Sequence, residues 1–166
     1  QVILALPQHV ICDFLNFQRP KHPRTAACAY FSADHSPFDL PALRLNARAS
    51  HRLVKTTCVP TNIQVGYAPA GRSLISVNLD PQFDYNSSEM SNVVNELDDL
   101  FGGQVQDWDL IKIMRIEQAL PDYSVHLELE NQGYIVCGDY ATTPSINNAF
   151  ASGRNAADQY LISLED

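Results

Sequence analysis

Apolar residues run unbroken from Val2 to Leu6 and stop at Pro7, which predicts a strand buried on both faces, as in an α/β sheet. Val10, Ile11, Phe14, Leu15 and Phe17 predict a short helix over Val10 to Phe17, and the basic, proline-containing stretch from Arg19 to Arg24 reads as a loop. Strands are predicted at Ala26 to Ala33, Leu53 to Val59 and Ser73 to Leu79, separated by turn signals at Asp34 to Pro41, Pro60 and Ala68-Pro69-Ala70-Gly71. Their close succession points to an antiparallel or mixed sheet. Asn86-Ser-Ser-Glu89 has the form of a capping box, after which Met90, Val93, Val94, Leu97, Leu100 and Phe101 mark one face of a helix over 87–101 that Gly102-Gly103 terminates. Trp108 to Ile116 returns as a strand, which Ala119-Leu120-Pro121 closes.

The last third carries the most chemistry. A strand over Tyr134 to Cys137 runs into Gly138-Asp139, and an apolar stripe then recurs at Ile146, Ala149, Phe150, Gly153, Ala157, Tyr160, Leu161 and Leu164. Thr143 is a suitable N-cap and Pro144 a tolerated first-turn proline, so the turn is expected to present free backbone N–H groups at a positive dipole end. Strand, loop and helix start together make a ligand seat. Asp139 has two readings, a carboxylate that accepts from a polyol hydroxyl or a residue that caps its own turn. In the first, neighbouring N–H groups meet a phosphate or carbonyl oxygen, a combination that describes part of a dinucleotide.

With 166 residues, 45% of them hydrophobic and 18% charged, the chain is long enough for one domain or two closely packed lobes. Its net charge of −8 is uneven: residues 1–55 hold seven Lys/Arg against three Asp/Glu, leaving four against sixteen for the remainder. That distribution argues against nucleic acid as the main partner. No apolar run is long enough to span a bilayer, and no leader pattern is visible. The start at Gln1 is expected of a processed chain or a piece of a longer one. Cys12, Cys28, Cys58 and Cys137 are widely spaced in apolar settings, read as buried free thiols in a reducing compartment, and the scattered histidines make no metal constellation.

The segments Val-Ile-Leu-Ala-Leu-Pro at 2–7, Tyr-Ala-Pro-Ala-Gly-Arg-Ser-Leu-Ile-Ser-Val at 67–77, Trp108, Ala-Leu-Pro at 119–121, Tyr-Ile-Val-Cys-Gly-Asp at 134–139 and Ser-Ile-Asn-Asn-Ala-Phe-Ala-Ser-Gly-Arg-Asn-Ala-Ala at 145–157 occur in this order. Together they resemble the C-terminal part of the FAD-dependent amine oxidase and phytoene (carotenoid) desaturase superfamily, in its cyanobacterial and chloroplast form. The resemblance implies an α/β fold, mixed α+β in character, with Rossmann-like FAD-domain elements from 1–9 and 130–166 and a substrate-domain-like lobe with a mixed sheet over 10–129. It also implies FAD as cofactor, with Gly138 and Asp139 at the ribityl and phosphate part and Ser145, Ile146, Asn147 and Asn148 facing the flavin ring. The chemistry would then belong to the flavin.

Two departures modify that expectation. No Gly-x-Gly-x-x-Gly occurs among the seven glycines, so the ADP-gripping half of the pattern is missing. Asn148 stands where the family has a glycine that permits close approach of backbone to ring. The resemblance also implies that the small-residue stripe Ala149, Gly153 and Ala157 packs on the missing half, so a protein partner or a rearranged element of this chain is expected to cover it, with burial on this chain's own sheet as the plain alternative. The expected function is a non-catalytic accessory or structural subunit of a larger, photosynthetic complex in a chloroplast or cyanobacterium. The alternatives are a split or truncated flavoenzyme completed by a partner chain, and a module whose aromatics, Tyr30, Phe31 and Tyr67 among them, bind a carotenoid or another apolar molecule.

Overall fold

The computed structural model describes residues 1–19, 21, 24–47, 53–84, 86–122, 133–141 and 143–164. Its mixed α/β chain divides into two compact units, one formed by Gln1–Arg24 with Glu117–Asp166, the other by Thr25–Ile116. The divisions fall at 24/25 and 116/117, and the first helix packs with the terminal strands through Ile11 and Leu15.

In the continuous unit, strands β2 (Arg24–Ala33), β3 (Arg44–Leu45), β4 (Val54–Cys58), β5 (Ser73–Leu79) and β6 (Asp109–Leu120) form a sheet in the order β3-β4-β5-β2-β6. The β2–β5 and β4–β5 pairs are antiparallel. Strict alternation along β2 buries Ala27, Ala29, Phe31 and Ala33 on one face and leaves Cys28, Tyr30 and Ser32 half-buried on the other. Helix α2 (Ser87–Phe101) covers the buried face with Val93, Leu97 and Phe101, spaced at successive turns. Asn86 accepts from the Glu89 N–H at 2.8 Å, and Gly102 closes the helix in the left-handed conformation at φ 70°. The reciprocal half of the capping box is redirected: the Glu89 carboxylate accepts from the Asp84 N–H. Glu96 accepts from the Leu53 and Val54 N–H groups at 3.0 Å each, tying α2 to the start of β4. Arg72 joins three elements, donating to Ser32 Oγ at 2.9 Å, to Asp34, and to Asp109 at 2.5 Å.

In the two-piece unit, β1 (Val2–Leu4) and β7 (Tyr134–Val136) make a two-stranded parallel sheet with Val2 opposite Tyr134 and Leu4 opposite Val136. The expected burial of β1 on both faces is incorrect: Leu4 is buried, but Val2 and Ile3 are exposed because the described residues supply neither a second neighbouring strand nor cover for that face. Helix α1 spans Gln8–Phe14, earlier than the pattern predicts, since Pro7 can begin a helix and accepts the first bonds from Val10 and Ile11. Helix α3 spans Ile146–Ile162. Its N-cap is Ser145, not Thr143: the Ser145 Oγ accepts from the Asn148 N–H, while the Thr143 carbonyl accepts from the Asn148 side chain. The α3 stripe read as the packing face is largely bare, with Ile146 and Phe150 both 77% exposed. Burial falls instead on Ala156, packed with Ile135, Cys137 and part of Tyr160. All four cysteines are free, Cys12 and Cys137 buried, Cys28 and Cys58 half-buried. Among the described residues no helix is long and apolar enough to cross a membrane.

Candidate functional site

Both parallel strands of the two-piece unit release their chains at the same end. Ala5, Leu6 and Pro7 leave β1 there, Gly138 and Asp139 leave β7, and a cavity of about 500 Å³ lies between them. Ligands of open α/β sheets bind outside the carboxyl ends of the strands, and this volume is within the usual range for a small-molecule site. His9 and Arg19 line it from the α1 side, Gln118 to Asp122 from the end of β6, and Ala149 and Gly153 from α3.

Gly138 is fixed by close approach. A Cβ there would meet Tyr140 Cε1 at 2.2 Å, because the Tyr140 ring folds back beneath the turn and its hydroxyl donates to the Cys137 carbonyl at 3.0 Å. At the helix start, where free N–H groups were expected, the Asn148 N–H is engaged by Ser145 Oγ, and two N–H groups at the end of β7 are engaged as well. Cys137 donates to the Leu4 carbonyl at 3.1 Å, and Gly138 donates to Ser152 Oγ of α3 at 3.1 Å. Asp139 begins a single 3₁₀ turn, Asp139–Ala141, at the cavity wall.

Of the six sequence-predicted residues, Gly138 and Asp139 line the cavity, while Ser145, Ile146, Asn147 and Asn148 lie at the α3 start and are not in its wall. Ala149 and Gly153 meet the cavity in their place. Sequence reading missed Gln8, which is 5% exposed and grips the backbone of Asp122 in both directions: its Nε2 donates to the Asp122 carbonyl and its Oε1 accepts from the Asp122 N–H, each at 2.9 Å. Its partner lies 114 residues away, so no local pattern could expose it. Arg19 was also missed as a site residue. It forms a two-point ion pair with Asp13 that holds the Asp13 carboxyl below its usual range and leaves a guanidinium at the cavity rim.

Burial, aided by Cys137, Asp139 and Cys12, pushes the Tyr140 phenol well above its usual range. The folded protein therefore keeps Tyr140 neutral at pH values where the unfolded phenol, with its ordinary pKa near 10, ionises. The contribution is complete below about pH 10 and is lost as pH rises beyond it. Alkaline titration followed by amide exchange at Ile135 to Cys137 is expected to show this decline in wild type and a shallower one in Tyr140→Phe.

No protein-family model and no curated protein matches the sequence. Solved structures do. A protein of Pyrococcus furiosus superposes with a TM-score of 0.64 at 11% identity, over 94% of this chain and 39% of that one. An oxidoreductase from Methanosarcina mazei superposes with a TM-score of 0.62 at 14% identity, over 91% of this chain and 37% of that one. The chain shares their fold. It spans less than two fifths of the length of either structure.

Proposed function

We propose that this chain is a reduced relative of FAD-dependent oxidoreductases, of the amine oxidase and carotenoid desaturase kind, which lacks the ADP-binding half and serves as a non-catalytic subunit of a larger assembly. The observation that carries the reading is the combination, in one unit, of a formed cavity at the strand ends with the exposed Val2 and Ile3 of β1 and the exposed Ile146 and Phe150 of α3. The fold shared with an oxidoreductase supports the kinship with that kind of protein.

Gly153 favours a partner on α3. A Cβ at this position would meet nothing within 4 Å, so no packing among the described residues requires glycine there. A glycine inside a helix costs roughly 0.5–1 kcal/mol relative to alanine. Gly153→Ala is expected to raise the chain's own stability by about that amount in urea titration, while bulky replacements at Ala149, Gly153 or Ala157 leave the fold intact and abolish assembly. An unchanged assembly with Gly153→Leu would remove the partner surface from the proposal.

The cavity favours a second reading, in which Gly138 and Asp139 still hold the ribityl and phosphate part of FAD and a partner chain supplies the remainder. Calorimetric titration with FAD separates the two. The accessory reading expects no saturable binding by the isolated chain and no flavin in the native assembly. Stoichiometric flavin in that assembly, lost on Asp139→Ala, supports the split enzyme and overturns the accessory role. The resemblance extends the proposal to a chloroplast or cyanobacterial setting, which fractionation tests: recovery outside photosynthetic membranes and their complexes would remove that part.

A further inference from the structure

Charge selects what the strand-end cavity can hold. The unit that forms it carries four Lys/Arg against nine Asp/Glu, and its residues outside the described set add no Lys or Arg. His9 and Arg19 are the basic side chains of the wall, and Arg19 is neutralised by Asp13, which takes its Nε and Nη2 in the two-point pair. Asp139, half-buried in the same wall, has no such counterpart: neither its own turn nor any described side chain engages its carboxylate in a hydrogen bond or ion pair. The neighbouring backbone donor, the Gly138 N–H, is already given to Ser152 Oγ. Leu6 and Leu120, 37% and 39% exposed, present open apolar surface to the same space, with Pro7 and Pro121 beside them.

We propose that this cavity binds a small organic cation, an apolar body ending in an ammonium or guanidinium group, with Asp139 accepting from the cationic head and the two leucines covering the body. A half-buried, unpaired carboxylate gains most from a ligand that brings both the opposite charge and N–H donors. Open leucine surface adds affinity in proportion to the area that the ligand covers. A neutral polyol would supply donors but leave the charge uncompensated. A phosphate or carboxylate would meet an unneutralised group of its own sign. Only the position of the cavity is shared with the accessory-subunit reading, and a cation at Asp139 excludes the flavin phosphate of the split-enzyme reading.

Titration of the full chain with n-hexylamine, 1-hexanol, hexanoate and inorganic phosphate, followed by amide NMR at about pH 8, above the ordinary imidazole range, tests this. Hexylammonium is expected to saturate as a single site and to shift the Gly138, Asp139 and Gly153 amides. Hexanol should bind there about tenfold or more weakly, and hexanoate and phosphate should not saturate. Asp139→Asn, which keeps the size of the side chain, should reduce the affinity for hexylammonium to that for hexanol, whereas Leu120→Ala should weaken both by a similar factor. Arg19→Gln releases Asp13 from its pair and should tighten hexylammonium binding; at an anion site it would abolish binding. No saturable binding of hexylammonium, equal binding of phosphate or hexanoate, an unchanged preference for the amine in Asp139→Asn, or saturable binding of FAD by the isolated chain would each overturn the proposal. Failure to find an assembly would bear on the accessory role alone.

Discussion

Gly138→Ala is expected to destabilise the two-piece unit by on the order of 2–4 kcal/mol. The added methyl would lie 2.2 and 2.8 Å from atoms of the Tyr140 ring, and the ring is no flexible tip, being 8% exposed and held by its hydroxyl. Relief requires the ring to swing away, which exposes apolar surface and leaves the Cys137 carbonyl without its donor. Alternatively the turn must move, which strains the Gly138 N–H bond to Ser152 and shifts Asp139 along the cavity wall. Amide exchange across Ile135 to Asp139 would report the loss directly. In a Tyr140→Ala background the same substitution should cost little, since the three atoms nearest the added methyl all belong to that ring. A full cost in that background would contradict this account.

Phe83→Ala is expected to cost about 3–5 kcal/mol, the usual range for removing a fully buried aromatic ring. Phe83 is 1% exposed and packs in the core between the β-sheet and α2. Trp108, the sole tryptophan, contacts Phe31 and Phe101 in the same unit, so its fluorescence during urea unfolding reads the loss. Phe150→Ala, at a ring that is 77% exposed on α3, should change stability by less than about 0.5 kcal/mol. Equal effects of the two would mean that the burial described for these rings does not hold in solution.

The continuous unit was the more legible in the sequence because its determinants are local. Helix α2 follows from Asn86 and Glu89 at one end, Gly102 at the other and an apolar face between, and the structure begins and ends it there. Strand β5 matches the predicted Ser73 to Leu79 because alternation, a preceding Pro-Gly turn and burial agree. Strand β6 runs on to Leu120, past the predicted Ile116, because nothing before Pro121 interrupts an extended chain. The short β3 escaped notice because two residues give no period to read.

The site was legible only in part. A turn at Gly138-Asp139 could be read from a strand that ends in glycine and a carboxylate. Its Tyr140 underpinning, the Ser152 contact and the Gln8 clamp join residues whose meeting depends on the fold. The exposed faces of β1 and α3 reveal the limit of pattern reading most clearly. Apolar spacing identifies a surface suited to burial, but it does not say that the burying partner lies within the same chain.

The pairing of Val2 with Tyr134 bears on the order in which the molecule can be made. In a disordered chain, joining those residues closes a loop of more than a hundred residues, and the entropic penalty grows with loop length. Folding of 25–116 first changes that penalty, because a folded unit fixes the separation of residues 25 and 116, from which the two terminal pieces continue. During synthesis the continuous unit can complete itself once β6 has emerged, whereas β1 must wait for β7. The exposed Val2 and Ile3 are thus left without their β7 partner for the longest interval, during which they are open to chaperone capture.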